Sequence, residues 1–359
     1  MIKLLIVDDS ALMRRQLSQI FEEEGGFEIR QARNGKEAVE ENKDFQPDVV
    51  TLDVNMPEMD GITALSHIMA ERPVPVVMVS SLTEKGALAT FEALNLGAVD
   101  YVAKPGGTIS LTIKEVSIEL ITKVRNAAKV KIKTKATTTA TGGLAQRMRE
   151  DREKVAAKES SAIRWKDGKN GLVIIGVSTG GPRTLEEILP LLPANYPYPV
   201  LVVQHMPAAF TKSFADRLNN SCHLEVVEVA TPRAIEPGFV YIAKGGADMV
   251  VAMRAGKLTA LPKPEAKEFL WHPSVELLGR SVLENCNSAD VIGVMLTGMG
   301  YDGSDAFTEI KKRGGRTIAE AESSAVVFGM PAELIKKAGA SIVLDASKIA
   351  TQLIIWAGK

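Results

Sequence analysis

Along the first third of the chain, apolar residues gather in short continuous runs: Lys3–Val7, Asp48–Leu52, Pro75–Val79 and Val99–Ala103. Longer stretches of helical period separate them. Short unbroken apolar runs suit strands buried on both faces, and their alternation with helix-length stretches predicts a parallel sheet with crossover helices. Ser10 is a good N-cap residue, and Met13, Leu17, Ile20 and Phe21 share one helical face behind it. A last helix of this block is expected from about Ser110, turning Ile113, Val116, Leu120 and Val124 toward the sheet. From about Gly168 the pattern restarts. Leu172–Val177, Val200–Gln204, Phe239–Ala243 and Val291–Leu296 read as strands, with helical stretches such as Pro182–Leu192 and Asp302–Lys312 between them. The intervening segment has alternating lysines, a Thr/Ala tract and a Gly pair, with little to bury. It predicts a tether with a helical piece near Gln146–Lys158. The expected organisation is an α/β domain over 1–128, a basic flexible linker over 129–167 and a second α/β domain over 168–359.

Composition supports two cores: 359 residues exceed the roughly 100–200 of a usual domain. With 45% hydrophobic and 24% charged residues, wholesale disorder is excluded. The net charge of -1 argues against a dedicated nucleic-acid binder, yet it is a cancellation: residues 1–128 carry -7, residues 129–169 carry +7 and residues 170–359 carry -1. The basic bridge reads either as a nucleic-acid tail or as a solvated tether. Its lack of aromatics before Trp165 favours the tether. Cys222 and Cys286 are too few for a disulfide framework or a four-Cys zinc site. His67, His205, His223 and His272 lack metal-helix spacing. The amino-terminal apolar run is too short for a signal peptide, and no run approaches a membrane span. A reduced, cytoplasmic protein with no membrane insertion is expected.

In open parallel sheets, function gathers at the carboxyl ends of the strands. Asp8 and Asp9 follow the first run, Asp53 the second, Ser80 and Ser81 the next, and Lys104 the last, so one fold brings them to one rim. Three crowded carboxylates need a cation, and oxygen ligands suit Mg²⁺. A carboxylate beside Mg²⁺ can attack a phosphoryl donor while a lysine and a hydroxyl stabilise the equatorial oxygens. Taken alone, the Asp pair reads more readily as a mere cap for the Ser10 helix. Together, VDDS, LDVNMPEMDG, VVMVSS and DYVAKPG closely resemble the receiver domain of two-component response regulators over nearly all of residues 1–125. That resemblance implies a flavodoxin-like (βα)5 fold with Asp53 as phosphoacceptor and Asp8, Asp9 and Asp53 on Mg²⁺, joined by the Asn55 carbonyl. It also implies Ser80 as switch hydroxyl, Tyr101 as switch aromatic, Lys104 as phosphate-sensing lysine and a cis Lys104–Pro105 bond.

In the second block, GLVIIGV runs into Ser178-Thr179-Gly180-Gly181-Pro182. Glycines permit a tight strand-to-helix turn, Pro182 suits a first helical turn, and free N–H groups at a helix start stabilise an oxyanion. A phosphate-binding Gly/Ser turn is the competing reading. His205 ends another strand and becomes a candidate general base for Ser178. Asp302, past Gly298-Met299-Gly300, is placed to orient it, whereas Asp290 falls at the opposite edge and Asp305 one turn into the next helix. Gly176-Val177-Ser178-Thr179-Gly180 matches the nucleophile elbow of α/β-hydrolases, but the order Ser…His…Asp departs from that fold.

GVSTGGP, QHMP and LTGMGYDG, in order behind a receiver, resemble the chemotaxis protein-glutamate methylesterases, the CheB family, over essentially the whole chain. The resemblance implies a C-terminal doubly wound, mostly parallel-sheet hydrolase domain with Ser178, His205 and Asp302 as triad. The Met299 backbone N–H and a donor of the Ser178–Gly180 turn, Thr179, would form the oxyanion hole, and the hydrolase reaction needs no cofactor. The substrates would be methylated glutamates, and selected glutamines, on chemoreceptor cytoplasmic domains; a chemotaxis histidine kinase would be the phosphodonor. Phosphorylation of Asp53 would relieve a block of the catalytic mouth. His272 stands where the family often has arginine, which would give a weaker, pH-dependent cation toward an acidic receptor. The motifs leave open the same chemistry in a non-flagellar chemosensory pathway or on a small soluble ester. A DNA-binding response regulator is disfavoured by the near-neutral second block.

Overall fold

A computed structural model describes residues 1–81, 83–104, 113–130 and 171–358. The chain divides into two compact units, Met1–Ile132 and Lys133–Lys359. The Lys104–Pro105 bond, Ser110 and the helical piece expected near Gln146–Lys158 lie outside the described residues, as does nearly all of the 129–167 linker.

In the first unit, five strands and five helices alternate: β1 (Ile2–Val7), α1 (Ala11–Glu24), β2 (Phe27–Ala32), α2 (Gly35–Asp44), β3 (Val49–Asp53), α3 (Gly61–Glu71), β4 (Val76–Ser80), α4 (Glu84–Leu96), β5 (Asp100–Ala103) and α5 (Ile113–Ala127). The sheet order is β2-β1-β3-β4-β5, with every pairing parallel. Neighbouring residues of a strand point to opposite faces, and Leu4, Leu5 and Ile6 are all fully buried, so both faces of the sheet are covered. Ser10 caps α1 by accepting the Met13 N–H, and Leu17 and Phe21 pack inward, while Met13 and Ile20 are half-buried. Leu120 and Val124 of α5 are buried as expected. The strand absent from the apolar-run pattern is β2. It forms a sheet edge, and its alternating FEIRQA sequence follows its half-exposed position.

The second unit holds a seven-stranded, all-parallel sheet in the order β15-β14-β13-β6-β7-β10-β8. Its strands are β6 (Leu172–Val177), β7 (Val200–Gln204), β8 (Glu225–Val229), β10 (Phe239–Ala243), β13 (Val291–Met295), β14 (Arg316–Glu320) and β15 (Ile342–Leu344). The helices between them are α6 (Gly181–Ile188), α7 (Ala208–Ser221), α8 (Val275–Asn285), α9 (Ser304–Lys312), α10 (Met330–Lys336) and α11 (Ala346–Ala357). A small antiparallel sheet joins β9 (Arg233–Ala234), β11 (Asp248–Arg254) and β12 (Lys257–Lys263). One core cluster includes Ile174 and Val203 of the large sheet, Leu278 and Val282 of α8, and Phe307 and Ile310 of α9. The stretch expected as one helix over Pro182–Leu192 is α6 followed by a 3-10 turn over Leu189–Leu191, where Pro190 lacks the N–H an α-helix needs. Met206, Phe210 and Met330 are core residues.

In both units the strand order reverses beside the first strand. The chain leaves β1 to β2 on one side and β3 on the other; it leaves β6 toward β7 on one side and later returns to β13 on the other. Such switch points open a crevice at the carboxyl ends of the strands.

Candidate functional site

At the first switch point, Asp8 follows β1 and Asp53 ends β3, and both are buried. With Asp9, which is exposed, they bring carboxylate oxygens within 4.8 Å of one another. Lys104, just past β5, places Nζ 2.8 Å from Asp8 Oδ2 and 2.9 Å from Asp53 Oδ2. One ammonium among three carboxylates leaves an excess of negative charge, and the donors are all oxygen, so the cluster fits a small hard dication. Burial raises the Asp53 carboxyl above its ordinary range; Lys104 opposes the rise and Asp8 adds to it. Lys104 loses by burial but is held charged by Asp8 and Asp53, with its pKa raised. Asn55 lies exposed in the loop after β3. Ser80 is buried at the end of β4, its Oγ 3.4 Å from the Ser81 and Gly86 carbonyls. The Tyr101 ring is buried, and burial drives its hydroxyl pKa well up. Lys123 Nζ sits 5.0 Å from that ring and bonds the Tyr101 carbonyl at 2.7 Å.

The second switch point carries the serine, histidine and aspartate. Ser178 leaves β6 in a turn whose Gly180 adopts φ +79, a left-handed conformation that favours glycine, and Pro182 opens α6. The Ser178 N–H donates to the Thr297 carbonyl at 3.0 Å. The Ser178 carbonyl accepts from Gly181 N–H at 2.8 Å and from Gln204 Nε2 at 3.0 Å. Gln204 also donates to the His205 carbonyl at 3.0 Å, so one buried amide ties the serine turn to the end of β7. From the other side, Gly298 closes in. A Cβ there would lie 2.7 Å from Ser178 Cβ and 2.6 Å from Met330 Sδ, so only glycine lets the turn after β13 lie against the serine. Met299, one residue on, is on that turn.

His205 Nε2 lies 2.9 Å from Asp302 Oδ2, with both side chains almost fully buried. Asp302 is held from four directions. Its Oδ1 accepts from Ser274 Oγ at 3.1 Å and Glu276 N–H at 2.9 Å, and its Oδ2 accepts from Val275 N–H at 2.7 Å as well as facing His205. The carboxylate thus sits on the amino terminus of α8, which Ser274 caps, where free N–H groups favour negative charge. Burial alone would raise its pKa, but His205 and the two backbone N–H groups outweigh it and hold the carboxyl below its ordinary range. The second ring nitrogen, His205 Nδ1, is buried and has no hydrogen-bond partner among the described residues. The Trp271 ring runs parallel to the imidazole, 1° apart with centroids at 5.9 Å, and meets Tyr301 edge-on at 5.1 Å.

Asp290 lies in the 3-10 turn before β13, at the far edge, and Asp305 is exposed and paired with Lys337 at 2.6 Å. His272 does not stand free as a surface cation. Its Nδ1 lies 3.1 Å from both oxygens of the fully buried Asp248, which also accepts Ser274 N–H at 2.8 Å and Ala266 N–H at 2.9 Å. That pair fixes the segment carrying Trp271 and Ser274. The supporting residues Asp248, Ser274, Gln204 and Thr297 did not stand out in the sequence. Ser274 carried the faintest signal, as a cap-forming residue before an apolar helical stretch.

Comparison with known proteins covers both units. A family model described as CheB methylesterase matches residues 173–353, and one described as response regulator receiver domain matches residues 4–114. A protein-glutamate methylesterase/protein-glutamine glutaminase of Rhodospirillum rubrum is 53% identical over 99% of this chain and 96% of its own length. Its counterpart in Caldanaerobacter subterraneus is 49% identical over 98% of this chain and 96% of its own. Among solved structures, the Thermotoga maritima CheB methylesterase catalytic domain is 42% identical with a TM-score of 0.50, covering 52% of this chain and 98% of that one.

Proposed function

The chain belongs to the CheB methylesterase family, and from that premise we propose that it is a phosphorylation-activated hydrolase of chemotactic adaptation. It demethylates glutamate methyl esters, and deamidates selected glutamines, on the cytoplasmic domains of chemoreceptors. The observation that carries this reading is the buried His205–Asp302 pair on the α8 amino terminus, set beside the glycine-walled Ser178 turn. The working division is a receiver over 1–128, a linker over 129–167 and a catalytic domain over 168–359.

Ser178 Oγ attacks the ester or amide carbonyl as His205 takes its proton. Asp302 occupies Nε2, so Nδ1 is the nitrogen that serves as base. Asp302, kept ionised by the helix terminus, fixes the ring's tautomer and stabilises the imidazolium that forms. The backbone N–H groups of Met299 and Thr179 receive the charge developing on the tetrahedral oxygen. His205 then returns the proton to the departing methanol or ammonia, and water, deprotonated by the same ring, releases glutamate from the acyl-serine.

In the receiver, Asp53 is the phosphoacceptor: its carboxylate oxygen attacks the phosphoryl group of a phosphohistidine on a chemotaxis histidine kinase, the N–P bond breaks and the imidazole leaves. Asp8, Asp9, Asp53 and the Asn55 carbonyl would hold Mg²⁺, whose chemistry when bound is neutralisation of phosphoryl charge. Lys104 supplies a fixed positive charge to the phosphoryl oxygens, Ser80 a hydroxyl, and Tyr101 reports the change. Phosphorylation of Asp53 activates the hydrolase. The testing experiment incubates methyl-labelled chemoreceptor membranes with the protein and measures methanol release. Release is expected to vanish in Ser178→Ala, and release unaffected by that change would overturn the assignment.

A further inference from the structure

One buried acid beside these turns takes no step in the acyl transfer described above. Glu320 ends β14, the neighbour of β13, and is fully buried. Its Oε2 accepts the Thr297 N–H at 2.7 Å, and its Oε1 accepts the Ser324 hydroxyl at 2.9 Å. Thr297 in turn bonds the backbone of both Ser178 and Thr179. Its carbonyl accepts the Ser178 N–H at 3.0 Å, and its hydroxyl donates to the Thr179 carbonyl at 2.9 Å. The same hydroxyl accepts the Val327 N–H at 2.9 Å, joining a third segment to the assembly. The next residue along is Gly298, already packed on Ser178 Cβ, and then Met299.

Resting on the esterase reading above, we propose that Glu320 is a positioning residue for acyl transfer: by anchoring the Thr297 N–H it sets the Ser178–Thr179 turn against the Gly298–Met299 turn. The nucleophile and the two oxyanion donors lie on those two turns, and Thr297 bonds the first turn while its own chain runs on into the second. Glu320 touches no reacting atom. Burial, with Glu187 and Asp345 adding negative potential, pushes the Glu320 carboxyl up to about 7, against the pull of the Thr297 and Ser324 donors.

The test is turnover of methylated receptor membranes by full-length Glu320→Ala, Glu320→Gln, Thr297→Val and Thr297→Ser proteins, with Ser178 labelling by a fluorophosphonate followed in parallel. Displacement of reacting groups by about 1 Å costs about 100-fold in rate, so Glu320→Ala is expected to lower kcat by about 10- to 100-fold while KM stays within about twofold. Its Ser178 labelling rate should fall in step. Glu320→Gln keeps an acceptor for the Thr297 N–H and should stay within about threefold of the parent kcat. Thr297→Val should reproduce the alanine defect and Thr297→Ser should escape it, so a Glu320→Ala protein that fails to fold leaves this pair to decide. Parental kcat in both Glu320→Ala and Thr297→Val, a glutamine variant as damaged as the alanine one, or a loss confined to KM would each overturn the proposal. If instead Ser178→Ala is as active as the parent, the esterase assignment itself has failed.

Discussion

Asp302 and Glu320 are buried carboxyls less than twenty residues apart in sequence, and their surroundings push them in opposite directions. Asp302 is drawn below its ordinary range by His205 and the α8 N–H groups. The stability it contributes is therefore present above its unfolded pKa of 3.8 and is lost as pH falls through its lower folded value. Glu320 is raised from 4.5 to about 7, so its contribution is present below about 4.5 and disappears as pH rises through about 7. The span corresponds to a cost on the order of 3 kcal/mol above neutrality. Denaturant unfolding at pH 5 and pH 8 should show the parent losing stability across that window and Glu320→Gln losing distinctly less; equal losses in both proteins contradict the burial argument. At the proposed catalytic pair, Asp302→Asn places an NH₂ or a neutral oxygen against His205 and can hold the wrong tautomer. Its kcat in the methanol-release assay should fall by about 10⁴-fold, the scale seen when a triad acid is neutralised elsewhere.

Among elements, α8 does the most for the site. Its amino terminus offers Val275 and Glu276 N–H groups and the Ser274 hydroxyl to one carboxylate, while Asp248 holds Ser274 N–H from behind. Ser274→Ala removes both the cap and a donor to Asp302. It should cost about 1 kcal/mol in denaturant unfolding and lower kcat as well. Unchanged unfolding midpoint and turnover would show that the cap is dispensable. The elements differ in how far the sequence betrayed them. β1, β3, β6 and β7 are central strands whose two buried faces produce unbroken apolar runs. β2, β8 and β15 sit at sheet edges, where half-exposed alternation such as EVVEV blends into loop composition. Ser178, His205 and Asp302 were legible because each follows an apolar run at a glycine- or proline-marked rim. Thr297 and Glu320 were not. Their partnership depends on β14 lying beside β13, a long-range pairing that no local pattern in one sequence encodes.

For the whole molecule, two units of unrelated chemistry share one covalent chain. The expected link is that a small phosphodonor with Mg²⁺ raises methanol release in the parent and does nothing for Asp53→Asn. Equal turnover with and without the phosphodonor in both proteins would remove the regulatory claim while leaving the esterase intact. Nearly all of the +7 stretch between the units lies outside the described residues, and its charge remains the sequence-based ground for testing whether neutralising Lys129–Lys135 alters basal turnover.

Both units place their proposed reactive groups where strand order reverses, and individual glycines beside them show how closely the backbone packs there. Two rim glycines leave no slack: a Cβ on Gly61 would lie 1.9 Å from the Asp53 carbonyl oxygen, and one on Gly298 would strike Ser178. At the opposite edges, Gly25 and Gly26 before β2 and Gly238 before β10 have nothing within 4 Å of an added Cβ. Those loops are natural sockets for a reporter. A fluorescent tag or short epitope inserted at Gly25–Gly26 or after Gly238 would travel with a working enzyme, whereas one extra residue after Gly298 would silence it.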